Sequence, residues 1–425
     1  MPVQAKSFQR TRFACFYTYL AMSSVFSFPP LLFVTFRGMY GVSYTLLGTL
    51  VLINFCTQLG IDLIFTFFGK YFNIKTTIRI MPLLTCIGMA TYAIVPNAFP
   101  QIAYAGLVVG TVIFSVAAGL CEVLLSPLIA ALPSEHPDRD MSKLHSLYAY
   151  GVVTVVLVST LYFWLFGREN WMYLGLFWAV LPIGSCVLYC VSPLPDMNIS
   201  QNSATKSAKN TTKGLALCVL CIFLGSAAEN AMTNWISGYV ENALHISKAV
   251  GDILGLALFA ILLGFTRTWY AKYGKNIGKT LLIGMAGAVV CYLVASFSSS
   301  PILSLAACVL TGVCTSMLWP GTLILMEENY PALGVTAYAL MAAGGDFGAS
   351  VAPQMLGVVV DTVSVSDWAL ALGTKLSLTA EQIGMKVGML TASIFPILGV
   401  VVLIYSLRYF KKQATAKASS LQSDS

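Results

Sequence analysis

The strongest constraint on this chain is a recurrence of apolar runs, each about as long as a bilayer is thick, separated by short polar breaks. Twelve can be traced, at 13–36, 45–69, 77–96, 102–132, 144–166, 171–192, 214–240, 250–271, 280–297, 301–326, 335–360 and 386–408. About twenty apolar residues wound at about 1.5 Å each cross a hydrocarbon core of about 30 Å. Inside that core every backbone N–H and C=O must be bonded within the segment, so the runs are expected to be helices. The expected fold class is an all-α membrane protein of twelve transmembrane helices in two six-helix pseudo-symmetric halves. Composition agrees: 57% of residues are apolar and 10% charged, against about 25% charged in soluble domains. A soluble enzyme is excluded on that ground. The net charge of +7 is too dilute for a nucleic-acid footprint, so no nucleic-acid partner is expected and the lipid bilayer is the first partner.

The sharpest polar break is 193–213, rich in Ser, Asn and Lys as a flexible linker should be. It divides the chain into a half at 1–193, a linker at 194–213, a second half at 214–410 and a tail at 411–425. With the amino terminus in the cytoplasm, nineteen of the 24 Lys and Arg fall on the cytoplasmic side. Arg37, Arg168, Lys248, Lys375 and Lys386 fall on the other. That bias predicts cytoplasmic termini, with a bacterial inner membrane as the expected location. The first run, Phe13 to Phe36, is too long for a cleavable signal core. All 11 cysteines lie inside apolar runs, so no disulfide framework is expected, and Cys218 and Cys221 read as small packing residues.

Spans four and ten share a pattern. Gly119-Leu120-Cys121-Glu122-Val123-Leu124-Leu125-Ser126-Pro127 aligns with Gly312-Val313-Cys314-Thr315-Ser316-Met317-Leu318-Trp319-Pro320, with Gly, Cys, Leu and Pro coinciding. Two similar halves rocking about a central site are what alternating access uses.

Ionisable groups inside spans cost several kcal/mol unless they face water or a partner. Glu122 lies about ten residues, roughly 15 Å, from its helix end, near the midplane. A carboxyl group there suits loading and release of a proton. Asp346, in Ala343-Gly344-Gly345-Asp346-Phe347-Gly348, and Glu229 are its candidate partners, Asp346 being equally readable as a structural partner of Arg267 or a tyrosine. Asp62, nearer the cytoplasm, is expected to form a gate pair with Lys70 or Arg267. Asp252 reads as a carboxylate favouring a helix start.

On span seven, Glu229, Asn230, Thr233, Asn234 and Ser237 fall within one arc of about 140°. Such a stripe must line water or a ligand, or bond a neighbouring helix. Asn54 and Gln58 share a face of span two, and Gln354 is a further polar candidate. Trp235 or Trp319 would stack on a sugar face. Pro29-Pro30 and Trp319-Pro320-Gly321 are expected to break their helices and free backbone groups. No Lys or Arg sits in the middle of a span by count. An anionic solute needs a fixed cation or a helix N-terminus, so a neutral or cationic solute is expected. Gly274-x-x-x-Gly278-Lys279-Thr280 is one residue short of a phosphate loop and follows no strand. The three histidines, His136, His145 and His245, are not at metal spacing.

The twelve spans, the six-plus-six repeat and the basic linker resemble the major facilitator superfamily. Its signature loop after span two is degenerate here: Gly69-Lys70-Tyr71-Phe72-Asn73-Ile74-Lys75 keeps cations and lacks the acid. Within that superfamily, Gly119-Leu120-x-Glu122 followed by Pro127 is similar to the fourth helix of the fucose/glucose:proton symporters. The resemblance implies proton coupling and sugar binding for Glu122. The acid those symporters carry in the first helix has no counterpart, since span one offers only Tyr17, Tyr19, Ser23, Ser24 and Ser27.

The expectation is a secondary transporter, not an enzyme. It would be a monomer without cofactors, moving a small neutral polar solute, a sugar among the candidates, with protons as coupling ion. Glu122, Asp346 and Glu229 would carry protons. Asn54, Gln58, Asn230, Thr233, Asn234, Trp235, Trp319 and Gln354 would hold solute. Asp62, Lys70 and Arg267 would form the gate. Proton-driven efflux of cationic amphiphiles and a non-transporting sensor are the alternatives.

Overall fold

A computed structural model describes residues 8–68, 71–133, 137–195, 209–330 and 335–423. Among these, ten helices are long and apolar enough to cross a membrane, and two bent helix pairs raise the number of spans to twelve. No strand occurs among the described residues. Lys70 and most of the linker, 196–208, lie outside them.

The first bent pair is span one. Gln9–Leu31 and Phe33–Tyr40 meet at 50°. The sequence reason is Pro29-Pro30: neither ring nitrogen can donate, so the carbonyls of Val25 and Phe26 lose their helical donors and the helix turns at Leu32. The second pair is span eleven, where Leu340–Ser364 is followed at 80° by Asp367–Leu376. This last helix is not expected from the apolar runs. Span ten is interrupted between Pro301–Thr315 and Leu318–Asn329. The tail expected from Lys411 instead continues the last helix, Ile394–Ser423.

Without a hydrophobic force between helices in lipid, close approach depends on small residues. The repeat shows it twice. A Cβ on Gly119 would lie 3.0 Å from the Ile61 side chain and 3.2 Å from the Gln58 Cα, so span four lies flush on span two. A Cβ on Gly312 would lie 2.6 Å from the Phe259 carbonyl oxygen, so span ten lies flush on span eight. The matched glycines therefore make matched contacts in the two halves.

The hydrogen bonds, ion pairs and ring contacts that join the halves among the described residues gather on one face, the one away from the start of span one. We call it the far face, and the opposite one the near face.

Candidate functional site

Span one, bent at its prolines, leaves a recess against spans two, four and seven. Pro29, Pro30, Phe33, Asn54, Phe114 and Asn234 are among its walls, with Val25 and Phe26, whose carbonyls the prolines free. The recess is open on one side and, in this conformation, has room for little more than a water-sized group. Asn54 Oδ1 accepts from Gln58 Nε2 at 3.1 Å and Ser115 Oγ at 2.6 Å. In this orientation Nδ2 has no acceptor among the described residues. Asn234 spends Nδ2 on the Asn230 carbonyl at 2.9 Å, leaving Oδ1 as the unused acceptor. One amide from the first half and one from the second thus line a recess whose other walls, Thr111 apart, are apolar.

Gln58 is buried and serves the contact between spans two and four rather than the recess. Asn230 donates to Ser226, and Thr233 to the Glu229 carbonyl, both within their own helix. Gln354 packs against Gly48, and its Oε1 is buried without a donor among the described residues. Trp319 is half-buried over Gly345, beside Asp346. Trp235 is 1% exposed. Its Nε1 donates to the Pro353 carbonyl at 3.1 Å, and its ring meets Phe33 and Tyr44. No face is left for a sugar in this conformation, because the closed far side has claimed both ring and N–H.

The acids divide into two groups. Glu122 is exposed on span four. Its carboxylate acts through space on Asp62 and Asp346, both buried. Spans two, four and eleven thus bring three carboxyl groups within electrostatic reach of one another across the two halves.

Glu229 belongs to a different set. Arg267 Nη2 lies 3.3 and 3.4 Å from its two carboxylate oxygens, and Arg267 Nε donates to the Ser316 carbonyl at 2.8 Å. The expected pairs of Arg267 with Asp62 or Asp346 are therefore replaced by a pair with Glu229. The cause lies in span ten. Pro320 has no N–H, so the Ser316 carbonyl four residues back is without a helical donor and takes the guanidinium instead. The backbone group freed by Pro320 meets a side chain. The expectation of no cation at mid-span also fails: Arg267 is near its helix end by count, but its length carries the charge inward to the break in span ten. Tyr148, on span five, lies within electrostatic reach of Glu229, Arg267 and Glu122.

Asp252 is more than a carboxylate at a helix start. It is 1% exposed and accepts from Ser237 Oγ, and Lys248 Nζ lies 3.0 Å from Ser237 Oγ and 3.1 Å from Asp252 Oδ1. This cluster anchors the π-helical turn Gly251–Ala257 that opens span eight. One end of the span-seven stripe therefore bonds a neighbouring helix rather than solute.

The far face is closed by a network the apolar runs gave no hint of. Asp361, on span eleven, accepts from the N–H of Tyr44 at 3.1 Å and of Thr45 at 2.6 Å. A carboxylate of one half thereby caps the helix start of span two in the other, a favourable place for a negative charge. Arg37 lies 3.9 Å from Asp361 and 3.4 Å from Glu381, and Tyr44 donates to Glu381. Asn242 donates to the Tyr44 hydroxyl at 2.8 Å, and Arg168 pairs with Glu241. The signal available in sequence is charge complementarity between loops of opposite halves, Arg37 and Arg168 against Asp361, Glu381 and Glu241. Substituting Asp361 by Ala should speed hydrogen exchange at Tyr44 and Thr45 by roughly two- to thirtyfold, since a cap is worth about 0.5–2 kcal/mol. Asp361→Asn, which keeps an acceptor, should lose less. Peptide-level exchange over 41–50 measures this, and equal protection in all three proteins would show that the cap does not hold the far face.

A search of curated proteins finds no match. Among solved structures the chain is similar to a bacterial homolog of the human lysosomal transporter Spinster in an inward-facing, occupied conformation. The TM-score is 0.73 at 14% identity, covering 95% of this chain and 97% of that one. It is similar to a D-xylose–proton symporter, with TM-score 0.73, 14% identity and coverage of 94% and 97%. The E. coli fucose:proton symporter follows with TM-score 0.55, 14% identity and coverage of 92% and 99%. At such identities the likeness concerns the fold. The sequence itself matches the family model of the Major Facilitator Superfamily over residues 13–353. With twelve spans, a repeated half and a space between the halves, the chain belongs to the Major Facilitator Superfamily.

Proposed function

We propose that this transporter moves a small polar solute of the hydroxyl-rich, sugar-like kind together with protons, by alternating access. The observation that carries the reading is the juxtaposition at the centre. The Asn54 donor and the Asn234 acceptor, one from each half, suit a hydroxyl group. Glu122, the proton carrier in this reading, is exposed on span four, with Asp346 and Glu229 as partners. Protonation of Glu122 removes a charge from the trio with Asp62 and Asp346, which favours the two halves coming together. Release of the Asp361 cap and its neighbours then opens the far face. The near face would be cytoplasmic, from the cation bias, in a bacterial inner membrane, and the working unit a monomer.

The test uses purified protein in liposomes loaded with a pH dye, with hexoses, pentoses and organic cations added in turn. A sugar that drives proton entry supports the reading. If only cations move protons, and outward, efflux replaces symport. If a sugar moves without protons, the coupling assignment is wrong.

A further inference from the structure

The short helix after span eleven takes no part in the recess or the acid trio. Asp367–Leu376 has ten residues. That is about 15 Å, half of what a span needs. It leaves span eleven at 80°, so where that span crosses the bilayer this helix runs along the bilayer surface. Its sides are unlike. At 100° per residue, Trp368, Leu372 and Leu376 fall within one arc of about 80°, and all three are exposed. Asp367 and Thr374 lie on the opposite side, also exposed. Ala369 and Gly373 form a third side and are buried. A Cβ on Gly373 would lie 2.5 Å from the Leu378 carbonyl oxygen. Leu370 lies between the buried and the polar sides. A helix held to the protein by small residues at the end of a span has bilayer on one flank and water on the other. The apolar flank belongs on the bilayer side, where three large side chains leave water. Exposed Val358 and Val365 carry the apolar surface of span eleven into it. Lys375, beside Trp368 at the edge of the stripe, suits the headgroup level, and Trp is the ring that favours this boundary.

The helix is also strung between the two carboxylates that close the far face. Asp361 lies six residues before its start and Glu381 five after its end. Both connections are short and bonded. Ser366 N–H donates to the Val363 carbonyl at 3.0 Å. Ser377 ends the helix with a left-handed φ of 55°. Thr379 and Gln382 then form a capping box, and Gln382 Nε2 donates to the Ala243 carbonyl of span seven at 3.0 Å. Little slack separates the helix from the gate.

We propose that Asp367–Leu376 is seated in the far leaflet through Trp368, Leu372 and Leu376, and that this seat holds the far face shut. The partner is the headgroup–acyl boundary of the bilayer. Opening the far face tilts the second half, and a helix seated in the leaflet resists that tilt. The inference rests on the alternating-access motion of the transport reading, not on its solute or its protons.

Two measurements on the full chain in phosphatidylcholine nanodiscs test it, neither of which uses solute. The first is fluorescence of the parent and of Trp368→Phe, with lipids brominated near the headgroup end or near the methyl end of the acyl chains. Of the seven tryptophans, only Trp368 differs, so the difference in emission reports its depth. That difference should be quenched by roughly half or more by the shallow bromines and less by the deep ones, since such helices sit about 5–10 Å into the boundary. The second is hydrogen exchange over 41–50 in the double variant Leu372→Ser, Leu376→Ser. Exchange there should speed by roughly threefold or more, while 280–297 in the body of the second half is unmoved. Both leucines are exposed, so the change removes no internal packing, and Leu372→Phe with Leu376→Phe should keep the parent's protection. Trp368 emission untouched by either lipid would put the stripe in water or on a protein partner. Unchanged exchange in the serine variant would separate the helix from the gate. Either result overturns the proposal. A protein that passes both tests but shows no solute-driven proton entry leaves the seat standing and sinks the coupling reading.

Discussion

Glu122→Gln should abolish solute-driven proton entry into liposomes while the purified protein still binds solute. Gln keeps the size and hydrogen-bonding reach of the side chain but neither takes up nor releases a proton. Glu122 is the exposed member of the acid trio, while Asp62 and Asp346 are buried. The variant fixes the trio in the state that protonation would produce, so solute binding should lose its dependence on pH. We expect coupled transport to drop at least a hundredfold, equivalent to about 2.7 kcal/mol. Paired measurements of binding and proton flux decide the matter. Flux at wild-type rate would remove Glu122 from the proton path and leave the trio a packing feature.

The second large effect concerns stability. Lys248 is 6% exposed and Asp252 1%, so Lys248→Met strands a buried carboxylate. Removing one member of a buried ion pair costs about 3–5 kcal/mol, because the remaining buried charge has lost its counter-charge. The apparent melting temperature in detergent, followed by tryptophan fluorescence, should drop sharply. Adding Asp252→Leu should recover most of it, since a buried pair exchanged for apolar residues is often neutral or better. A single variant as stable as the parent would mean that Ser237 alone satisfies Asp252. The cluster thus pins span eight to span seven at the far end, the segment on which Arg267 is carried.

Much of this is local chemistry and is readable residue by residue. The apolar runs set the number of spans because a bilayer accepts only internally bonded backbone of one length. Pro29-Pro30 marks the bend in span one, and Pro320 the break in span ten, because a missing N–H has the same consequence in any context. Gly119 and Gly312 mark matched helix contacts for an equally local reason, the absence of a Cβ. Glu122, Asn54 and Asn234 stand out as polar groups in apolar helices, and the two asparagines border the recess between the halves.

Partnership is a different matter. Arg267 is four residues from the end of its apolar run, so its charge reads as a boundary residue. Its side chain instead reaches the Ser316 carbonyl that Pro320 leaves open. Trp235 and Asn234 are neighbours on one helix, yet the first is sealed among Phe33, Tyr44 and Pro353 while the second opens on the recess. Helical period alone does not say which side of span seven meets the opposite half. Asp361 and the N–H groups of Tyr44 and Thr45 are separated by more than three hundred positions. The sequence by itself therefore determined the spans, their breaks and the polar groups that must not meet lipid, since those follow from covalent structure and solvent. Only the tertiary structure decided which charge answers which, because pairing depends on where two halves of the chain come to rest against each other.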